Sequence, residues 1–466
     1  MATDSQTTGP ARSLSEKLYF AVWRWHFYAG LYVIPFLIML AVTGLVMMYI
    51  AVFSGRDGEH ISVIPTGVAL SLEQQSQAAV GTLPDATLVE WIGAEQADRA
   101  SVFRVKSEGT QHFVAVNPYD ATVIETWVRR DGWYDFANDI HGTLLIGDTG
   151  DRLIEIAAGL GIVLVLTGLY LWWPRTDGLR TVLIPNLAAR GRALWKSLHA
   201  VTGFYISLVL VLFLLSGLSW TGIWGEKFVQ AWSSFPAEKW DNVPLSDDIH
   251  ANMNHGAIKD VPWALEQTLM PESGSDAGLT GLPEGVPVTV DSIAMLGHAI
   301  GYEGRFRVNF PSGNTGVWTL SQDSMSNDSD CPTCDRTVHI DQHTGKILAD
   351  VGFADYSLMG KSMAVGIALH EGDMGLWNLI LNTLFCLSVI FVCVSGAVMW
   401  IKRRPSGAGR LTAPPAPTDL PLWKGAALIC VITSLAFPLV GLTLLAVLAF
   451  DVLILGTIPA VKRALS

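Results

Sequence analysis

Long uncharged apolar runs alternate with polar segments along this chain. The runs are Phe27–Gly55, Ile156–Pro174, Ser197–Gly225, Met374–Ile401 and Gly425–Phe450. Each is long enough to cross a hydrocarbon core about 30 Å thick at about 1.5 Å per residue. Pro438 and Gly441 interrupt the last run, and apolar sequence continues past Asp451. We therefore predict that the last run forms a hairpin of two helices, which gives six membrane spans.

Composition also indicates a membrane protein. Half of the 466 residues are hydrophobic and 15% are charged, whereas soluble domains carry about 25% charged residues. The first 17 residues are polar and no small-residue cleavage pattern follows, so the first run is expected to be an anchor and not a cleaved signal peptide. Asp451 is the one acid deep in an apolar run. It is a candidate for proton transfer, or else it marks an interface or a helix end.

The charges of the short loops predict the orientation. The loops 175–195 and 403–421 are rich in arginine and flanked by lysines, and each holds a single acid, Asp177 or Asp419. The positive-inside rule places both loops in the cytoplasm. The two long polar segments, 54–140 and 226–369, carry most of the net charge of −12 and by alternation share the other side. The sequence has no basic face large enough to bind nucleic acid.

Each long polar segment is predicted to be a small α+β module. "HFVAVNPYDATVIETW" alternates apolar and polar residues around an Asn117-Pro118 turn, and "RTVHIDQHTGKILADV" does the same around a turn at His343-Thr344-Gly345. Both patterns indicate β-hairpins. The segment 271–287 is rich in proline, glycine, serine and aspartate and is expected to form a loop.

Histidines stand at corresponding places beside the first four runs. His26 in "WRWHFYAGLY" and His199 in "LWKSLHAVTGFY" are each followed at fixed offsets by glycine, a bulky apolar residue and tyrosine. His141 in "NDIHGTLLIGDTG" and His370 in "ALHEGDMG" precede the second and fourth runs. By the predicted topology, the first two histidines lie at the cytoplasmic face and the other two at the outer face.

A Ser-Gly or Thr-Gly pair recurs inside each of these four runs. The glycines are Gly44, Gly168, Gly217 and Gly396. The interval from each histidine to the next of these glycines is 18 residues in the first and third helices, and 27 and 26 residues in the second and fourth. This repetition predicts two parallel halves, related by an axis along the membrane normal, with equivalent histidines facing each other.

Two imidazoles from different helices at one membrane depth suit a haem iron, which takes one axial nitrogen from each side. Zinc agrees less well, because no third or fourth ligand recurs beside both pairs. A di-iron centre needs carboxylates, and the first four runs contain none. A lone histidine at a helix end is more often an interfacial polar group, but four in register favour ligands. Histidines outside the register are predicted to be ordinary surface residues: His60, His112, His250, His255 and His298.

The glycines support the haem interpretation. Eighteen residues at about 1.5 Å each put Gly44 and Gly217 about 27 Å from the histidine of their own helix, near the pair at the opposite face. Small residues there would let a flat macrocycle lie close to the backbone, and on this basis all four glycines are candidate cofactor-binding residues. Close packing of helices is the commoner use of such glycines and remains open.

The predicted fold is a membrane all-α helical bundle, with a four-helix core in two parallel repeats plus a C-terminal helical hairpin, and two outer α+β modules. Its parts are a cytoplasmic tail (1–17), a first span (18–53), a first outer module (54–140), a second span with its lead-in (141–174), a cytoplasmic loop (175–195), a third span (196–225), a second outer module (226–369), a fourth span with its lead-in (370–402), a cytoplasmic linker (403–421) and the hairpin (422–461).

The sequence resembles the PepSY-associated transmembrane family, typified by inner-membrane ferric-siderophore reductases of Gram-negative bacteria. The resemblance covers about residues 15–404 and rests on "WHFYAGLY", "HGTLLIGDTGDRL", "TGLYLWWPR", "LHAVTGFY", "HIDQHTGKIL" and "SGAVMWIKRR". It implies PepSY modules in the periplasm, two haem b groups in the helical core, and electron transfer across the inner membrane to a periplasmic ferric siderophore. It gives His26 and His199 to an inner haem and His141 and His370 to an outer haem.

The cysteines agree with haem that is not covalently attached. The motif Cys331-Pro-Thr-Cys334 is followed by Asp335 and not by histidine, so the c-type attachment pattern is absent. A local disulfide on the oxidising side is the preferred interpretation. The alternatives are a redox-active pair and a zinc site formed by the two cysteines with His339 and His343.

Two functions from different classes follow. The first is a haem-dependent oxidoreductase of the ferric-siderophore reductase type, in which reduction weakens the hold of hard oxygen ligands on iron. The second is a membrane-anchored PepSY protein that binds or regulates a periplasmic peptide, enzyme or metal. Paired imidazoles favour the first, because an anchor has no need of them. No G-x-G-x-x-G motif follows a strand in a soluble domain, so the electron donor is expected to be a separate molecule. The sequence identifies neither this donor nor the oligomeric state.

Overall fold

The structure, a computed structural model, describes residues 14–175, 178–254, 260–323, 325–404, 413–414, 424–450 and 453. Its α-helices are α1 Leu14–Ser54, α2 Leu72–Val80, α3 Trp133–Thr143, α4 Asp148–Trp172, α5 Leu179–Leu183, α6 Arg192–Leu218, α7 Val290–Ala299, α8 Leu358–Glu371, α9 Leu376–Arg403, α10 Lys424–Ala436 and α11 Pro438–Phe450. Its strands are β1 Thr87–Ile92, β2 Ser101–Ser107, β3 Thr110–Val116, β4 Val123–Val128, β5 Leu245–Ile249, β6 Leu269–Pro271, β7 Arg307–Asn309, β8 Val317–Gln322, β9 Arg336–Asp341 and β10 Ile347–Gly352.

Four helices of the described chain are long and apolar enough to cross a membrane. They are Ser15–Ser54 within α1, together with α4, α6 and α9. Their lengths follow from the uncharged runs, since a helix of about 20 apolar residues spans the hydrocarbon core while satisfying all its backbone hydrogen bonds. The first four predicted spans are therefore confirmed as helices of spanning length.

The C-terminal hairpin consists of α10 and α11, which Phe437 separates. Pro438 opens α11, a position where its missing N–H costs no helical hydrogen bond. Each helix has 13 described residues, or about 20 Å of helix, which is shorter than a hydrocarbon core. Two spans in this region therefore remain a prediction, and Asp451 lies outside the described residues.

Short helices precede two of the long ones, and each carries a histidine in its last turn. His141 lies in α3, which ends before Leu144 and Leu145, two residues with positive φ of 52° and 60°. His370 lies in α8, which ends at Gly372 in the left-handed conformation, with φ of 92°. Glycine adopts this conformation without strain and commonly ends helices. Both histidines thus belong to the lead-in and not to the long helix.

The strands of both polar segments join in one antiparallel sheet. Its order is β10-β9-β8-β7-β1-β2-β3-β4, and β5 and β6 form a separate two-stranded sheet. The hairpins β3–β4 and β9–β10 confirm the two predicted from alternation. Pairing of β1 with β7 connects the first segment to the second. The sequence predicted two modules, and their strands share one ladder.

One face of the eight-stranded sheet is covered by α2 and α7. Phe103, Val105, Leu320 and Ile340 from the strands pack there with Ile293 of α7, all fully buried. Strands that alternate in this way present every second side chain to the helices, and the apolar area removed from water stabilises the layer.

The opposite face of the central strands buries charged residues. Glu90, Arg104, Arg307 and Asp328 are each at most 3% exposed. Arg104 Nε lies 3.3 Å and Arg307 Nη1 lies 3.6 Å from Glu90 Oε2. Arg307 Nε donates to Asp328 Oδ2 at 2.9 Å. Opposite charges therefore compensate one another where water is excluded.

The described residues cluster into two compact units. The helical unit takes the described residues within 1–42, 142–228 and 384–466, and the sheet unit takes those within 43–141 and 229–383. In the helical unit, Ala158 and Ile162 of α4 pack against Leu214 and Leu218 of α6. A Cβ added to Gly161 would lie 3.0 Å from the Leu214 side chain, so glycine allows these two helices to approach closely.

Candidate functional site

The structure brings His26 and His199 together in the helical unit. Their ring centroids lie 6.4 Å apart and their planes are perpendicular, at 88°. Two imidazoles that bind one metal ion from opposite sides hold their centroids about 6 Å apart, because each metal–nitrogen bond is about 2 Å long and each nitrogen lies about 1 Å from its ring centroid. The spacing of this pair therefore fits two axial ligands of a single haem iron.

Hydrogen bonds fix the tautomer of both rings. Thr167 Oγ1 donates to the carbonyl of Val163 at 2.7 Å and lies 3.0 Å from His26 Nδ1, so it accepts the Nδ1–H of His26. His199 Nδ1 lies 3.1 Å from the carbonyl of Val392, which can only accept, and 2.9 Å from Ser395 Oγ. Because Nδ1 carries the proton in each ring, the lone pair of Nε2 is left for a metal ion.

The glycines beside these hydroxyls make room for the rings. A Cβ added to Gly168 would lie 3.2 Å from His26 Cε1, and one added to Gly396 would lie 3.6 Å from His199 Cε1. The pairs Thr167-Gly168 and Ser395-Gly396 thus each form a seat, in which the hydroxyl accepts the Nδ1 proton and the glycine admits the imidazole. The sequence had assigned these glycines to the macrocycle, and the structure adds this contact with the histidine.

His141 and His370 come together in the sheet unit, and His141 rests on a seat of the same kind. Thr43 Oγ1 lies 2.8 Å from His141 Nδ1, and a Cβ added to Gly44 would lie 3.8 Å from His141 Cε1. His370 is close enough to His141 for their charges to repel. Burial, with this repulsion as the second cause, lowers the pKa of His370 to about 3, so its imidazole is neutral at neutral pH.

The end of α8, which holds His370, is fixed by side chains that the sequence analysis did not identify. Asn382 Nδ2 donates to the carbonyls of Leu369 and His370 at 2.8 and 3.2 Å, and Asn378 Nδ2 donates to Leu369 at 3.1 Å. Both asparagines are at most 5% exposed. They satisfy carbonyls that a helix end leaves without partners. The signal available in the sequence for this role was the presence of two asparagines in the largely apolar stretch "WNLILNTL".

The pair Ser216-Gly217 differs from the other three Ser-Gly or Thr-Gly pairs in its observed contacts. Ser216 Oγ donates to the carbonyl of Phe213 at 3.0 Å. A Cβ added to Gly217 would meet no described heavy atom within 4 Å, so there is open space beside this glycine. Space of this kind agrees with the predicted approach of a flat group to the backbone.

Cys331 and Cys334 form a disulfide, as the preferred interpretation predicted. The alternative of a zinc site with His339 and His343 is wrong, because the thiolates are consumed and His339 is buried in β9. The part of the chain that the structure describes holds no group of three or more histidine, cysteine, aspartate or glutamate side chains suited to a metal ion.

The prediction that His250 is a surface residue is wrong, because its side chain is completely buried. Its Nδ1 donates to the carbonyl of Thr268 at 2.7 Å, and its Nε2 lies 2.9 Å from His339 Nε2. His250 Nε2 therefore accepts the proton of His339, whose Nδ1 faces Thr319 Oγ1 at 2.9 Å. The two rings form a satisfied hydrogen-bonded chain inside the sheet unit.

The other described histidines outside the register are not hydrogen-bonded to one another. His60 and His298 are exposed as predicted, and His112 is half-buried in β3. His255 lies outside the described residues. Among the residues with described structure, only the four histidines in register combine a paired position with a helix that carries or precedes a span.

A family model described as "PepSY-associated TM region" matches residues 23–403. The matched region contains both histidine pairs and all four Ser-Gly or Thr-Gly pairs. No curated protein matches the chain.

Proposed function

Since the chain belongs to the PepSY-associated transmembrane family, we propose that it is a membrane electron-transfer protein with two haem b groups, which reduces a ferric siderophore in the periplasm. The observation that carries the proposal is the pair His26–His199, whose rings stand 6.4 Å apart with both Nδ1 atoms engaged in hydrogen bonds. A ring held in this way can ligate only through Nε2, and the partner of Nδ1 fixes its orientation.

Each pair has a defined task in this proposal. Haem iron, when bound, supplies a one-electron carrier whose potential depends on its axial ligands and their hydrogen bonds. Thr167 and Ser395 hold His26 and His199 in one tautomer, and Thr43 is hydrogen-bonded to Nδ1 of His141 and so orients its ring. Two neutral, oriented imidazoles would hold such an iron in a low-spin state, which would suit electron transfer rather than the binding of a substrate on the metal.

Reduction of the substrate takes place at the His141–His370 pair. Both histidines belong to the sheet unit, which contains the segments predicted to lie in the periplasm. The cytoplasmic loops are short and basic, whereas a ferric siderophore is a bulky complex that needs a docking surface. Ferrous iron binds hard oxygen ligands more weakly than ferric iron, so reduction releases the metal. A separate donor on the cytoplasmic side or in the membrane supplies the electrons.

The first experiment measures haem content. Purified protein from haem-replete cells should give two haem b per chain in a pyridine haemochrome assay, with low-spin signals in electron paramagnetic resonance. Reduced protein mixed with ferric siderophores in a stopped-flow instrument should be reoxidised as ferrous iron appears. Colourless protein would favour the alternative of a membrane-anchored PepSY binding protein. If quinones oxidise the two haems and ferric chelates do not, the proposed electron transfer across the membrane would stand, and the assignment of a ferric siderophore as the acceptor would be rejected.

Enlarging a glycine of one seat should affect one haem only. In Gly168→Val, the added branches would press on His26, because the Cβ alone lies 3.2 Å from Cε1. We expect the haem of the His26–His199 pair to be lost or turned high-spin, and the other haem to keep its spectrum. Gly44→Val is the matched control, since it presses on His141 and should reverse the result. An equal effect of each variant on both haems would contradict the assignment of glycines to seats.

A further inference from the structure

Arg56 lies between the two short helices that carry His141 and His370. The centre of its guanidinium is 4.6 Å from the centroid of the Tyr134 ring, which belongs to α3. Its Nη1 is 3.7 Å from Glu371 Oε2, which belongs to α8. The same Nη1 donates to the carbonyl of Met325 at 3.1 Å. One side chain thus contacts both histidine-bearing helices.

These contacts bear directly on the two histidines. Tyr134 and His141 are seven residues apart on α3, which places them on the same face, two turns from each other. Glu371 directly follows His370 at the end of α8. A shift of the Arg56 guanidinium would therefore move α3 and α8, and with each helix the histidine side chain that it carries.

The backbone of this region is itself held in place. Arg305 Nη2 donates to the carbonyl of Arg56 at 3.2 Å, and Asp57 Oδ2 accepts from Arg307 Nη2 at 3.1 Å. Arg305 and Arg307 both stand next to or within β7 of the eight-stranded sheet. These hydrogen bonds hold the backbone of Arg56 against the sheet, which restricts the positions that the Arg56 side chain can take.

Arg56 is a permanent positive charge in a place that excludes most water. Its side chain is 16% exposed. Burial by itself would lower the pKa of Arg56, but Tyr134, Glu371 and Asp57 together raise this pKa above its ordinary value. Glu371 Oε2 is buried, and the Arg56 guanidinium, 3.7 Å away, offsets part of the cost of burying this oxygen.

We propose that Arg56 is a positioning residue of the His141–His370 site, which fixes the separation of α3 and α8 and supplies a positive charge that raises the reduction potential of the haem held there. A nearby cation stabilises the reduced iron, which carries one more electron. The inference rests on the proposed function and adds to it a residue outside the ligand set, with a separate role for its shape and for its charge.

Substitutions in the full-length protein separate these two roles. Arg56→Gln removes the charge and should shift the midpoint potential of one haem to more negative values in a spectroscopic redox titration, with the other haem unchanged. Arg56→Lys keeps the charge but loses the planar group that stacks on Tyr134. It should retain most of the potential and alter the electron paramagnetic resonance signal of the same haem. His199→Ala protein, which keeps the His141–His370 haem alone, identifies the haem that responds.

Arg336→Gln is the matched control. Arg336 also contacts a tyrosine, with its guanidinium centre 5.5 Å from the Tyr302 ring, and also pairs with an acid, Asp350, at 2.6 Å. It stands in β9, and its described side-chain contacts are with Tyr302, Asp350 and the carbonyl of Ile300, none of which belongs to α3 or α8. Both haems should therefore keep their potentials and resonance signals in this variant.

Unchanged potentials and resonance signals in Arg56→Gln would overturn the inference, and the proposed function would stand because two haems are still present. Absence of haem from the unsubstituted protein would instead reject the proposed function. If Arg56→Gln does not accumulate, Tyr134→Leu removes the contact to α3 and leaves the charge in place. This variant should change the resonance signal with little change in potential, and an unchanged signal would equally refute the positioning role.

Discussion

Replacing His199 by alanine is expected to remove the haem of the His26–His199 pair and to leave the other haem in place. His370→Ala is expected to do the reverse. Each pair lies within one unit, so each haem depends on its own two imidazoles. Either substitution would remove a ligand of the iron, which should weaken haem binding by more than the about 10- to 100-fold that loss of an outer hydrogen bond alone costs. Haem content should fall from two to one per chain in the haemochrome assay.

The spectra identify which haem remains. The one left in His199→Ala and the one left in His370→Ala should add up to the spectrum of the unsubstituted protein. His298→Ala is the control, because this histidine is exposed and lies outside both pairs. A folded His199→Ala protein that has lost both haems to the same degree would show that the two pairs do not bind independently.

The histidine register was readable from the sequence because it repeats along single helices. Intervals of 18 residues need no knowledge of how helices pack. The seats were not readable in the same way. That Thr167 binds His26, and Ser395 binds His199, depends on contacts between different helices. The sequence marked the small pairs but could not show that the hydroxyl accepts the Nδ1 proton while the glycine admits the ring.

The fold likewise contains features that local sequence patterns predict and features that they do not. Hairpins such as β3–β4 join neighbouring segments, so alternation around a turn predicts them. Pairing of β1 with β7 joins strands far apart in the chain, and no local pattern encodes it. The burial of His250 against His339 has the same origin. A polar residue that reads as surface in its own segment can be covered by a segment that is remote in sequence.

Arg307→Met is expected to destabilise the sheet unit by about 3–5 kcal/mol, the usual cost of removing one partner from a buried ion pair. Arg307 is 3% exposed and faces Asp328, which is completely buried, and Glu90, which is 1% exposed. Methionine fills much of the same volume, but it leaves both carboxylates with less compensation in a region without water. Hydrogen–deuterium exchange of the β1, β7 and β8 amides in the full-length protein measures the free energy of opening.

Arg336→Met provides the comparison that separates burial from charge. Arg336 also stands in a strand and pairs with Asp350 at 2.6 Å, but the two side chains are 29% and 38% exposed. Water compensates the remaining aspartate, so this substitution should cost only about 0–1 kcal/mol. Equal protection of the β1, β7 and β8 amides in the two variants would mean that the charged layer beneath the sheet contributes nothing beyond ordinary surface ion pairs. Arg307 in β7 faces Glu90 in β1 across the junction between the two halves of the sheet. A selective loss of protection in Arg307→Met would therefore show that the buried charged layer holds these two halves together.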